Sequence, residues 1–233
     1  MKSILSVSIL FLILSGCSSS SEDTMLVTGE VKGLKKGTLY LDKMEDTLIV
    51  SRDSLLIDGD AIFSFTEEIS APEVYYLTMT FQDSSNVVKR LPFFAESGTI
   101  TIHTTLENYE RDAVISGSEN QLIMDQYSLL MQRYKDQNLE LIEENLIALK
   151  EGNDSILQAV QKKQSNLVKG SYLATVNFAK NNGDKEAAPY LMLTEAFDVQ
   201  TKYLDTVYSS LTPKIKDSKY GKALESFIKD RKN

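Results

Sequence analysis

The chain holds one cysteine, Cys17, and one histidine, His103, so the side chains able to do chemistry are few. Thiol–disulfide exchange needs an attacking thiolate and a second cysteine. The usual zinc sets combine several His and Cys ligands. The chain offers neither combination. His103 lies in Thr99-Ile100-Thr101-Ile102-His103-Thr104, where alternation puts Ile100 and Ile102 on one face and His103 on the other. It is expected as a solvated strand residue rather than a base or a ligand. Glu140, Glu143 and Glu144 lie close together on a helical stretch. Paired carboxylates can act as general acid and base, although acids on an outer helical face are commonly just solvated. Asp58-Gly59-Asp60 lacks the further acidic ligands of a calcium loop and reads as a turn. Gly-x-Ser-x-Gly elbows and phosphate-binding loops are missing as well. The expectation is a non-enzymatic chain with no cofactor and no metal, a carboxylate-based hydrolase being the remote alternative.

Cys17 closes the run Leu14-Ser15-Gly16-Cys17 behind a basic start at Lys2 and an apolar stretch from Ile4 to Leu14. That stretch is shorter than the roughly 20 apolar residues a membrane span needs, so residues 1–16 read as a signal peptide that is removed. The four residues resemble the lipobox of bacterial lipoproteins. The resemblance implies diacylglycerol on the Cys17 sulfur, cleavage before it, and an acyl chain such as palmitate on the freed amine. Each buried methylene adds about 0.8 kcal/mol, so two such signals anchor a protein stably. Residues 17–24 would then be the lipidated Cys17 and a flexible, Ser-rich tether. Ser18 after the cysteine resembles the outer-membrane sorting pattern. The expected location is the cell envelope, lipid-anchored at the outer membrane, with the membrane as a partner through the N-terminal lipid.

Composition narrows the partners. Residues 1–17 contain one of the 25 basic residues and none of the 33 acidic ones, leaving 24 against 33. Nucleic acid is not an expected partner, because binding phosphates requires basic clusters. With its only thiol consumed by lipid, the mature chain must be stabilised by packing.

The hydrophobic pattern changes period near residue 118. Before it, Leu26–Val31, Thr38–Leu41, Leu48–Ser51, Leu55–Ile57, Ile62–Phe65, Val74–Phe81, Val87–Phe94 and Ile100–Thr104 are short segments rich in β-branched and aromatic residues. Asp58-Gly59 suits a hairpin turn between two of them. After it, Ser118-Glu119-Asn120-Gln121 fits a capping box. Ile123, Tyr127, Leu130 and Tyr134, then Ile142, Leu146 and Leu149, form a helical stripe that ends at Gly152. Asn153 or Asp154 can cap a second helix carrying Ile156, Val160 and Leu167, packed back on the first. Further helical patterns cover Tyr172–Ala179, Tyr190–Leu211 and Lys219–Lys229, with Pro213 a break. The fold class is therefore α+β: an antiparallel β-sandwich-like domain over residues 25–117, then an all-helical region over 118–233.

Several short motifs bear a family resemblance. Val27-Thr28-Gly29-Glu30-Val31, Gly37-Thr38-Leu39-Tyr40-Leu41, Asp53-Ser54-Leu55 with Asp58-Gly59, Phe63 and Phe65, Ile69, Pro72 and Tyr76, and Ile115, Gly117, Ser118 and Asn120 occur in that order. Together they resemble the 4369-type domain of unknown function that precedes thioredoxin-like domains in Gram-negative envelope lipoproteins. Tyr208, Leu211-Thr212-Pro213-Lys214-Ile215-Lys216 and Ser218-Lys219-Tyr220-Gly221 resemble the helical stretch leading into the thioredoxin-like part. That part, with its Cys-x-x-Cys, is not in this sequence, so the relatives' thiol chemistry is not expected here. What the resemblance implies is envelope location and a partner of the thiol-handling type.

Five triplets, around Thr24, Thr47, Ser54, Ser155 and Thr206, fit the Asp-Ser/Thr-aliphatic pattern that resembles a bacterial envelope O-glycosylation signal. Composition alone predicts roughly one, and Asp-Ser or Asp-Thr also starts helices and follows turns. Two functional expectations follow. One is a binding or interaction module accessory to envelope thiol–disulfide or stress systems. The other is a ligand- or glycan-binding lipoprotein that stacks its ligand on Tyr75, Tyr76, Phe81, Phe93 and Phe94, unless these aromatics alternate into the core.

Overall fold

The computed structural model describes residues 23–81 and 87–232. The expected signal segment 1–16, Cys17 and the expected tether up to Glu22 lie outside the described residues. Among those described, the strands form two four-stranded sheets. One is ordered β4-β1-β7-β8, from β1 (Thr24–Lys32), β4 (Ile62–Glu68), β7 (Gly98–Thr105) and β8 (Val114–Ser116). The other is ordered β3-β2-β5-β6, from β2 (Lys36–Glu45), β3 (Leu48–Asp58), β5 (Glu73–Thr80) and β6 (Val88–Ala95). Alternation points Met25, Val27, Ile100 and Ile102 of the first sheet at Leu39, Leu41, Tyr75 and Leu77 of the second, all inside a single core.

Two details of the sandwich depart from the sequence expectation. Asp58-Gly59 does not close a hairpin. Gly59 takes the positive φ the turn requires, 107°, but β3 pairs with β2 and β4 with β1. The turn is a corner that passes the chain between sheets, and the Gly59 N–H donates to the Lys35 carbonyl at 2.8 Å. The tight hairpin is instead at Asp46-Thr47, where Asp46 adopts φ 53° and Glu45 faces Leu48. β1 and β7 also run parallel, from Met25 beside Gly98 to Lys32 beside Thr105, so the sandwich is antiparallel everywhere else but not at this pair.

The helices follow as α1 (Glu119–Glu151), α2 (Asp154–Asn181), α3 (Ala187–Thr194), α4 (Thr201–Ser210), α5 (Pro213–Lys216) and α6 (Lys219–Asp230). Ser118 caps α1 by accepting the Gln121 N–H at 2.9 Å. Gly152 ends α1 in the left-handed conformation at φ 67°, and Asn153 caps α2. The later helices bury Met192, Leu204, Val207, Ile215 and Leu224 against Val176 and Ala179 of α2. α6 lies so close to α5 that a Cβ on Gly221 would come within 1.9 Å of the Ile215 carbonyl oxygen.

α1 and α2 pair as an antiparallel arm, α1 alone being about 50 Å long at 1.5 Å per residue. Their seam on α1 carries Tyr127, Tyr134, Leu141 and Ala148, one every seven residues, against Leu157, Val160, Gln164 and Leu167 on α2. The stripe expected to be core divides here. Tyr127 is buried, while Leu146 and Leu149 are 61% and 56% exposed and Ile142 is exposed too. Two helices alone cover only one narrow stripe each, and the seven-residue row occupies it.

Candidate functional site

The helices meet the sandwich on the outer face of β5 and β6. The residues of β5 and β6 that alternate away from the core put Val74 and Phe94 there, against Ala187 of α3, with Ile123 of α1, Tyr190 of α3 and Tyr220 of α6 around them. Phe94 meets Tyr190 and Tyr220 edge-on, with ring centroids 5.5 and 6.1 Å away. Sheet amides left without a strand partner are taken by helical side chains. The Val74 N–H donates to the Tyr220 hydroxyl at 2.9 Å and the Phe94 N–H to Gln121 Oε1 at 2.9 Å. Gln121 therefore completes only half of the expected capping box. Ser118 receives its bond, but the Gln121 amide turns to the sheet, its Nε2 donating to Asp125.

A polar latch locks the same junction. Glu96 Oε1 accepts from Ser118 Oγ, from the Asn120 N–H and from Asn120 Nδ2, at 2.6, 2.6 and 2.9 Å. Asn120 Oδ1 in turn accepts the Ala187 N–H at 2.9 Å. Glu186, buried at the start of α3, accepts from Ser218 Oγ at 2.6 Å, and burial pushes its carboxyl above the usual range. Glu73 on β5 pairs with Lys219 of α6 and, at 3.3 Å, with Lys43 of β2. Lys43 continues to Glu45, Glu45 to Arg52 of β3, and Arg52 to Glu67 of β4 at 2.7 Å. Three acids and three bases thus run without interruption from α6 across both sheets.

Beside this junction a cleft of about 810 Å³ opens between β6 and α1. Leu91, Pro92 and Phe93 line its sheet side, Gln121, Met124, Asp125, Ser128 and Lys135 its helical side, with Tyr190 and Glu195 at the end of α3. A second space of about 430 Å³ shares Met124, Ser128, Lys135 and Glu195 and runs on between α1 and α2 past Tyr127 and Tyr134. Burial, then neighbouring Tyr76 and Glu195, pushes the Tyr190 hydroxyl up to about 12. Burial does the same for Tyr127, up to about 12, against the pull of its 2.8 Å bond to Thr175. Both phenols stay protonated at neutral pH, where they can donate and accept hydrogen bonds but not act as bases. Carboxylates and a lysine on the rim, over an apolar and aromatic floor, equip the cleft to hold and orient a ligand.

Apart from Phe93 and Phe94, which border the cleft, the residues singled out from sequence lie elsewhere. His103 is exposed on β7. Glu140 and Glu144 line a separate groove on the arm, where Lys163 holds both oxygens of Glu144 at 2.9 Å, while Glu143 is not among the residues of that groove. The five aromatics do not make one stacking surface. Tyr75 and Phe93 point into the sandwich core, Phe81 packs against its margin, Phe94 is covered by the helices, and Tyr76 is half-exposed on the outer face. Thr47, Ser54, Ser155 and Thr206 are exposed and Thr24 is half-buried. Among the described residues no cluster of three or more His, Cys, Asp or Glu side chains is placed to hold a metal ion. Glu73, Gln121, Tyr190, Glu195 and Tyr220 were not legible as site residues, because each acts across elements far apart in the chain. Pro92 was the available signal, since proline inside a strand pattern marks an edge.

Residues 25–124 match the family described as Domain of unknown function (DUF4369), which takes in every strand and the first turn of α1. No curated protein matches the chain. A solved structure titled "pT26-6p" is similar over 85% of this chain at 11% identity, with a TM-score of 0.23. This chain covers 42% of that one.

Proposed function

We propose that this is a lipid-anchored protein of the cell envelope that works as a non-enzymatic binding module, accessory to thiol–disulfide or stress systems. The observation that carries the reading is the cleft between β6 and α1, bounded on one side by the DUF4369 segment and on the other by helices that follow it. Its polar rim and the Tyr190 hydroxyl suit recognition of a ligand or partner. The anchor rests on Lys2, the apolar run Ile4–Leu14 and Leu14-Ser15-Gly16-Cys17. Outer-membrane placement rests on Ser18, and the thiol-handling partner on the resemblance of the matched segment to the domain that precedes thioredoxin-like domains. Glycans on the exposed Thr47, Ser54, Ser155 and Thr206, and on Thr24, belong to the same envelope setting.

Two measurements test this. Cells fed radiolabelled palmitate should label the wild type and not Cys17→Ser, which should leave the membrane fraction; an unlabelled wild type overturns the anchor. A photo-crosslinking residue at Gln132, inside the cleft, should capture a thiol-handling envelope protein from native membranes. Repeated recovery of none removes the accessory role. A second reading, a small ligand or glycan in the same cleft, is favoured by Tyr190, which lines it and stays half-exposed beside Phe94. Sugars that raise the melting temperature would support it, and Tyr190→Ala should cancel that rise.

A further inference from the structure

β6 ends its sheet, so one side of its backbone has no strand partner. Hydrogen-bond direction alternates along a strand, and Phe94 fixes the phase because its N–H leaves the sheet for Gln121. The outward groups are therefore those of Val88, Arg90, Pro92 and Phe94. The far end of this edge is closed: Gln121 occupies the Phe94 amide, and Pro92 has none. The near end is open. The amides of Val88 and Arg90, and the carbonyls of Val88, Arg90 and Pro92, face outward with no partner among the described residues.

The other sheet ends differ from it. β8 is three residues long, and β3 and β4 are drawn together by the Gly59 corner and the Arg52–Glu67 ion pair. Among the described residues the β6 edge has space beside it. A groove of about 340 Å³ runs between Val88–Arg90 and the segment Glu107–Arg111, and it leads toward the cleft at Leu91–Phe94. Charge along this path is mixed: Lys89, Arg90, Glu107, Glu110 and Arg111 line its start, and Asp125, Lys135 and Glu195 its far end.

We propose that the β6 edge binds an extended peptide segment of a partner protein by strand addition. The segment lies antiparallel to β6, its backbone groups meeting those of Val88, Arg90 and Pro92. This rests on the reading of the chain as a binding module and names the partner's form. Outward amides and carbonyls at two-residue spacing are matched by a strand, which offers the same groups at the same repeat. Antiparallel pairing continues the pattern of β5 and β6 and is the stronger kind per residue.

The probe is the capped peptide acetyl-Lys-Val-Thr-Val-Thr-Val-Asp-amide, titrated into the folded protein with amide exchange followed by NMR. Exchange at Val88 and Arg90 should slow at least about tenfold at saturation. N-methylating one alternate set of peptide amides should abolish binding and methylating the other set should not. Arg90→Pro should weaken binding at least about tenfold, whereas Arg90→Ala, which keeps the amide, should weaken it only a few-fold. The proposal is overturned by unchanged exchange at both amides, by equal tolerance of the two methylated peptides, or by a dimer that Arg90→Pro dissociates, which would make a second copy the occupant. The methylated peptides test the protein unaltered, so they decide the matter even if Arg90→Pro fails to fold. Capture of a partner at Gln132 that survives Arg90→Pro would leave the binding module standing without strand addition.

Discussion

The two ends of α1 are built from similar residues and treated differently by the fold. At Glu119–Tyr127 the helix lies on a sheet and against α3, and nearly every side chain facing protein has a specific partner: Gln121 the Phe94 amide, Asn120 both Glu96 and Ala187, Tyr127 the Thr175 hydroxyl. At Leu139–Leu149 the same helix touches only α2, and an apolar row stays in solvent. An amphipathic pattern states that a face can be buried; a third layer decides whether it is.

Substitutions should separate the two ends sharply. Phe94→Ala removes the ring on which α3 and α6 pack and should cost about 3–5 kcal/mol by chemical denaturation; a cost below about 1 would mean that the helices are not held through Phe94. Glu73→Ala leaves Lys43 and Lys219 without their shared carboxylate and should cost about 1–3 kcal/mol. High salt should shrink that difference only in part, because Glu73 is buried while Lys219 is half-exposed. Glu186→Gln probes the latch through pH. Burial holds the folded-state carboxyl above its unfolded value, so the folded chain binds more protons between the two values and loses stability as pH rises through them. The Gln variant should melt above the wild type at pH 7, and the gap should close as pH falls to the protonated range. A gap that widens on acidification would contradict the burial argument. Leu146→Ser, on the exposed row of the arm, should change stability by no more than about 0.5 kcal/mol; a larger loss would place that row in a packed interface.

Local signals foretold much of this architecture. Period-two segments gave the strands, Ser118, Gly152 and Asn153 gave the helix ends, and Pro213 opened a new helix, because each acts within a few residues of itself. Pairing depends on what lies opposite, which is where expectation failed. Asp58-Gly59 has the composition of a hairpin turn, yet its flanking strands find better partners in β2 and β1. The arm offers two apolar rows on α1, and only α2 distinguishes them. The cleft was least legible of all, since its walls come from β6, α1 and the end of α3, separated by 27 residues between Phe94 and Gln121 alone.

The parallel pairing of β1 with β7 bears on how the chain is made. β1 is the first of the described strands to leave the ribosome, but it sits between β4 and β7, and its partner on one side begins at Gly98. Until some 70 further residues have emerged, β1 can have only β4 beside it, and its other side stays open. Long-range strand pairs of this kind form slowly and leave edges exposed while they wait. Closure of this sheet therefore waits for β7, and slow synthesis would lengthen the interval in which β1 needs protection from other chains.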